Sequence, residues 1–317
     1  MKKSSTKKSP EAVLSRRQRS RKELWAQRIL FLLLLPAVVQ TLLFCYKPMY
    51  GVVIAFQNYD ILKGIWGSPF IGFGNFQKFL FRSDFMDALR NTVGISTLGL
   101  LVGFPLPILF AILVNDFEHR RFGKFVQSVT YLPHFLSWVI VAGLVYRMLD
   151  EHTGIVNQMI AACGADRIPF MRDPSKFWGV FTVSGLWKEM GWNSILYLSA
   201  MAGISPELYE AAKVDGANRL QCTWHVTLPG IMPTVVIMLI MSLSGFFSTS
   251  FDALYPMRNA MVATASDTID IYSYFRGIQM GEYGYATAIG LFQSVLAIVI
   301  LFSANKALKK STGYSIF

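Results

Sequence analysis

Six stretches of the chain are predominantly apolar over the roughly 20 residues that a helix needs to cross a bilayer core. They run over about 29–45, 88–114, 125–146, 177–202, 229–251 and 286–304, and polar, charged or Gly/Pro-rich segments separate them. Val93–Val114 and Ala286–Asn305 carry no charge at all. The pattern predicts an all-α membrane protein with six transmembrane helices. The other runs are interrupted: Pro36 and Gln40 fall in the first, His134 in the third, and Lys188 beside Glu189 in the fourth. Lipid tolerates such groups only where they face protein, water or an interface.

Composition agrees with this pattern, since 53% hydrophobic and 15% charged residues with a mean hydropathy of +0.41 exclude a water-soluble chain. Charge adds an orientation. With the N-terminus inside, segments 1–28, 115–124, 203–228 and 305–317 hold 18 basic and 7 acidic residues, against 10 and 11 in 46–87, 147–176 and 252–285. Cytoplasmic loops carry the excess of Lys and Arg, so both termini are expected in the cytosol. Lys2, Lys3, Lys7, Lys8, Arg16, Arg17, Arg19, Arg21 and Lys22 then meet anionic lipid headgroups. No basic domain with interleaved aromatics follows them, so nucleic acid is not the expected partner.

A cleaved signal peptide fits residues 1–46 poorly, because the apolar run is long and no small-x-small site follows it. Cys45, Cys163 and Cys222 are an odd, scattered set that reads as idle thiols.

Between the fourth and fifth runs lies a polar but strongly patterned stretch, Ser205 to Pro229. Ser205 suits an N-cap, Pro206 the first helical position and Glu207 the first turn. Gly216 offers the left-handed position that stops this helix, and a second short helix from Ala217 to about Val226 is expected to end at Leu228-Pro229-Gly230. The small Ala211 and Ala212, apolar Leu208 and Val214, and acidic Glu210 and Asp215 suit a helix that docks on another protein. A capped connector between two spans accounts for the same residues.

Glu210-Ala211-Ala212, Gly216 and Leu228-Pro229 resemble the EAA loop of ABC-type import permeases: EAA, three residues, G, nine residues, I, one residue, LP. The spacing matches throughout, with Val226 in place of the isoleucine. The similarity covers about residues 86–305. Asp215-Gly216-Ala217, Pro233, Asn91-Thr92, Trp187–Gly191 and Pro206–Glu210 are similar to the sugar-importing branch. Pro48–Gly51, Ile54–Phe56 and Gly72–Phe76 resemble its polysaccharide and oligosaccharide subgroup.

The resemblance implies a type I permease fold of the bacterial cytoplasmic (inner) membrane and an extracytoplasmic solute-binding protein. It also implies a second, homologous permease and a dimer of cytosolic ATPases that bind ATP and Mg. Glu210, Ala211, Ala212, Asp215 and Gly216 would then form the coupling element, with Leu228 and Pro229 fixing its exit into the fifth span. The chain would comprise a basic tail (1–28), a first helix and long external loop (29–85), the permease core (86–305) and a C-terminal tail (306–317).

No cofactor is expected on this chain. It lacks G-x-x-x-x-G-K-[ST], H-E-x-x-H and G-x-S-x-G, so neither a phosphate loop nor a protease or lipase box is present. For a substrate path, Trp187, Trp192, Asn193 and Tyr197 around Lys188 and Glu189 offer rings and polar tips suited to sugars. Lys188 and Glu189 are adjacent and do not face each other on a helix, so each is expected to bond a different neighbour, either as a tie to another span or in the lumen. Phe246, Phe247 and Ser248, in the hydroxyl-rich Ser242–Ser250 run, are further candidates, although small residues there serve helix packing as well. Gly99 and Gly103 read as packing. An ion-coupled secondary transporter would show ionisable groups in several spans and inverted repeats. A membrane-embedded enzyme of glycan or lipid metabolism would need a reactive pair at the bilayer surface.

Overall fold

The computed structural model describes residues 27–117 and 119–316; the basic head expected at residues 2–22 lies outside them. Among the described residues the fold is helical, with one isolated antiparallel bridge between Gln57 and Phe70. The chain divides into two compact units, Met1–Val53 and Ile54–Phe317. The first is represented by the greater part of the helical run α1 (Arg28–Phe56), whose apolar side chains are exposed as far as Val53. Fully removing a leucine-sized side chain from water is worth about 1.5–3 kcal/mol, so this run belongs in lipid.

In the second unit the short helix α2 (Gly74–Leu80) is followed by α3 (Ser83–Asn115), α4 (Arg120–Tyr131) and α5 (Trp138–Met148). After α6 (Ile155–Ala162) come α7 (Pro174–Ala202), α8 (Pro206–Val214), α9 (Arg219–Ser244), α10 (Phe251–Met257), α11 (Ile269–Tyr274) and α12 (Tyr283–Thr312). Four runs are long and apolar enough to cross a bilayer: α1, α3, α9 and α12. The 29 residues of α7 give it the length to cross, but Lys188, Glu189 and the hydroxyls along it make it less apolar.

The third predicted span is not continuous. Its halves, Arg121–Phe135 and Trp138–Met148, meet at 102°. A 3-10 turn over Leu132–Phe135 contains Pro133, and Ser137 starts the next helix by accepting from the Ile140 N–H. A proline followed four residues later by a working N-cap is a stop and a start, which explains the break.

Three π turns carry a shared signature. Leu42–Tyr46, Gly99–Gly103 and Thr223–Thr227 each end two residues before a proline, namely Pro48, Pro105 and Pro229. A proline ring strikes the carbonyl four residues back, which here belongs to the central residue of each π turn; widening the turn relieves that clash without ending the helix. Leu228-Pro229 therefore does not close the second short helix. The chain runs through it from Arg219 to Ser244.

Buried side chains form three clusters. One joins Phe79, Phe85, Ile269 and Ile289; a second joins Phe177, Leu254, Met257 and Ile271; the third joins Ile108, Tyr197, Met201 and Ile231. Polar ties bind the loops to the helix ends. Asn91 donates to the carbonyls of Thr264 and Asp267, Thr92 accepts from the Ile269 N–H, and Asn75 donates to the carbonyls of Ala55 and Gln57. Arg258 pairs with Asp267, and that hydrogen bond pushes the Arg258 guanidinium pKa up. Asp173 caps α7, and its hydrogen bonds from Ser175 hold its carboxyl below the usual carboxylate range.

Candidate functional site

A cavity of about 400 Å3 lies between α3, α7 and the end of α9. One face of α7 supplies Thr182, Gly185, Glu189, Asn193 and Tyr197, at the three- and four-residue spacing that places side chains on a single stripe. Opposite stand the π turn of α3, with Gly99 and Gly103, and the segment bearing Ser242, Phe246 and Thr249. An added Cβ at Gly99 or Gly103 would meet nothing within 4 Å. Both glycines line the cavity.

Four of the sequence candidates, Glu189, Asn193, Tyr197 and Phe246, line this cavity together. Trp187, Lys188, Trp192, Phe247 and Ser248 do not. Trp187 is exposed, Ser248 lies in an outer hollow, and the Phe247 carbonyl accepts from Gln293 Nε2.

Lys188 is only 4% exposed and sits behind the cavity wall. Its Nζ donates to the His134 carbonyl at 2.6 Å and lies 3.0 Å from Glu189 Oε1, over the Trp138 ring. His134 Nδ1 donates to Glu189 Oε2 at 2.6 Å, and the Trp192 ring stacks on the imidazole with centroids 4.2 Å apart. Both charged residues thus reach one neighbour rather than two. That neighbour is the break between α4 and α5, where the interrupted helix leaves the His134 carbonyl available to Lys188. A buried ammonium needs such partners to be tolerated. The sequence placed His134 in a span without assigning it a role; Pro133 and Ser137 were the signals that a joint lay there.

At the far end of α7 stands the patterned loop. α8 begins at Pro206, and the Ser205 side chain makes no cap bond; the Ser205 backbone carbonyl takes the Leu208 N–H. Gly216, at φ +81°, stops α8. Its N–H reaches the Lys213 carbonyl and the Ala217 N–H reaches Ala212, the paired bonds of a Schellman motif. Asn218 and Gln221 then form a reciprocal capping box that starts α9.

Glu210, Ala211, Asp215 and Gly216 face solvent and Ala212 is half-buried; Leu208, Val214, Leu220 and Trp224 add exposed apolar surface. Tyr209 Oη and Thr227 Oγ1, 3.0 Å apart, pin α8 to α9. Leu228 packs on the cluster that holds Tyr197. A contiguous set of contacts therefore joins this loop to the cavity wall.

The family model described as the binding-protein-dependent transport system inner membrane component matches residues 99–313. The chain belongs to that family. This permease is 38% identical to Protein LplB of Bacillus subtilis (strain 168) over 91% of each chain. It is 37% identical to the polygalacturonan/rhamnogalacturonan transport system permease protein YteP of the same organism, over 95% of this chain and 94% of that one. Among solved structures it matches a bacterial alginate ABC transporter in complex with alginate pentasaccharide-bound periplasmic protein. That match has a TM-score of 0.85 and 38% identity, and it covers 93% of this chain and 99% of that chain. The permease is accordingly an all-α, multi-pass translocation subunit of the inner membrane.

Proposed function

We propose that this permease imports oligosaccharides or polysaccharide fragments, and that residues 205–229 couple the closure of a cytosolic ATPase dimer to the opening of its cavity. Six spans are assigned, α1, α3, the bent pair α4–α5, α7, α9 and α12, with both termini in the cytosol. The distribution of Lys and Arg supports that orientation. The cargo class follows from the cavity lining, which combines Trp138, Phe181, Tyr197 and Phe246 rings with Asn193 and hydroxyl side chains. The names of YteP and of the alginate transporter point the same way.

The observation that carries the coupling is the exposed, Schellman-stopped α8 joined by the Tyr209–Thr227 contact and Leu228 to the Tyr197 cluster. An ATPase seated on Glu210, Ala211, Ala212, Asp215 and Gly216 would move α8. Leu228 and Pro229 would carry that motion into α9, and the cavity would change access. A solute-binding protein delivers cargo at the opposite face, and a second permease supplies the facing half of the path. ATP and Mg belong to the ATPases.

Gly216→Val and Glu210→Lys test this reading. A β-branched residue at φ +81° is strained by roughly 1–2 kcal/mol, enough to distort the end of α8 while leaving the spans intact. Membrane insertion is expected to be normal, with ATPase co-purification and uptake both lost. Full uptake with the ATPase retained in both variants would refute the coupling role.

A further inference from the structure

A second hollow, of about 710 Å3, adjoins the membrane cavity. The two share Thr249 and Ser250, in the non-helical stretch between α9 and α10. That shared wall is fixed in place. Thr249 Oγ1 lies 3.0 Å from Asp270 Oδ2 and 2.9 Å from Thr268 Oγ1. Gln293 Nε2 donates both to Asp270 Oδ1 and to the Phe247 carbonyl. Both oxygens of Asp270 are therefore engaged in holding the wall.

The outer hollow is rich in acceptors. Ser273 and Thr287 give their hydroxyl protons to the carbonyls of Ala286 and Tyr283, which leaves their oxygens facing outward as acceptors. Asp252 adds an exposed carboxylate with no ion pair or hydrogen bond among the described residues, and the Tyr274 and Tyr283 rings supply flat apolar faces. Among the described residues no Lys or Arg lines the hollow. With Asp270 engaged, one free carboxylate is too few for a calcium or magnesium ion, which is bound by several oxygen ligands. The ligand that fits brings its own donors and an apolar ring face, as a polyhydroxylated sugar does.

We infer that this hollow is an outer sugar subsite, joined to the membrane cavity across the Thr249–Ser250 wall, so that one chain of several sugar units occupies both at once. The inference rests on the sugar-import reading above and adds a length class to it. The cargo is an oligomer long enough to span two hollows, and the outer one engages only longer chains.

The test uses the complete transporter in proteoliposomes, with its partner permease, ATPases and binding protein. Uptake is measured with two labelled ladders, neutral gluco-oligosaccharides and oligogalacturonates, each from disaccharide to hexasaccharide. Asp252→Asn removes the free carboxylate, and Ser248→Trp fills the hollow from its exposed rim. Loss of a charged hydrogen-bond acceptor is expected to slow uptake of the neutral hexasaccharide about ten-fold relative to its effect on the neutral disaccharide. Ser248→Trp should give a larger length-dependent loss. An equal change at every length in both variants, or no change, would overturn the outer subsite and leave the sugar reading standing. Failure of the unaltered complex to import any member of either ladder would overturn the sugar reading, and this inference with it.

Discussion

Gly191 shows how tightly one position can be set. It lies on α7 against the backbone of Thr130 on α4, so close that an added Cβ would fall inside contact distance of the Thr130 carbonyl. Backbone cannot yield as a flexible side chain can, so Gly191→Ala should destabilise the permease by roughly 1–3 kcal/mol. Gly179 on the same helix meets nothing within 4 Å, and Gly179→Ala should stabilise by up to about 1 kcal/mol. Thermal unfolding of the two variants in detergent gives opposite signs if the α4–α7 contact is as described. At this scale the sequence was legible where a motif is local. The Gly216 stop could be read because its determinants sit within a few residues. The convergence of Lys188 and Glu189 on His134 could not, because the partner lies more than fifty residues away and only the bend brings it near. Asn91-Thr92 and Asn75, which belong to the family-like motifs, tie loops to helices.

At the scale of elements, hydrophobic runs located the helices well and their interruptions poorly. The fifth apolar run reaches residue 251, whereas α9 ends at Ser244 and leaves the non-helical wall of the cavity. Apolar character alone does not distinguish helix from a serine-rich wall that faces a cavity. Leu228-Pro229 reads in the sequence as a terminator, yet a π turn carries the helix past it. That turn has a mechanical consequence. A π turn holds one extra residue, and one residue is about 100° of helix rotation, so Thr223–Thr227 sets the angular phase between the capped start of α9 and its membrane portion. Pro229→Ala removes the reason for the wide turn. The thermal midpoint should hold or rise, while ATP hydrolysis stimulated by the binding protein should fall, because the start of α9 is turned relative to the spans. A variant that keeps full stimulation would show that the phase set by this turn is immaterial to coupling.

For the whole molecule, the strongest constraints are exposed apolar surface and charge. Leu32, Leu33, Leu113, Val295 and Phe302 lie on the outside of helices long enough to cross a bilayer, an arrangement that water would penalise and lipid satisfies. Membership of the permease family was legible because the EAA spacing is local and the apolar runs are long. The bend in the third apolar run and the shape of the cavity were not, since both depend on how separate helices meet. Orientation is the property on which the coupling reading turns, and the native cysteines allow it to be tested. Cys163 is exposed in the 147–176 segment, Cys222 is buried within the 205–229 segment, and Val214 is 87% exposed at the end of α8. In a Cys45→Ala background, a membrane-impermeant maleimide added to intact protoplasts should label Cys163. With Val214→Cys and Cys163→Ala added to that background, labelling should appear only after the membrane is opened. The reverse pattern would place α8 outside the cell, where no ATPase could reach it, and the exposed apolar face of that loop would then require a different partner.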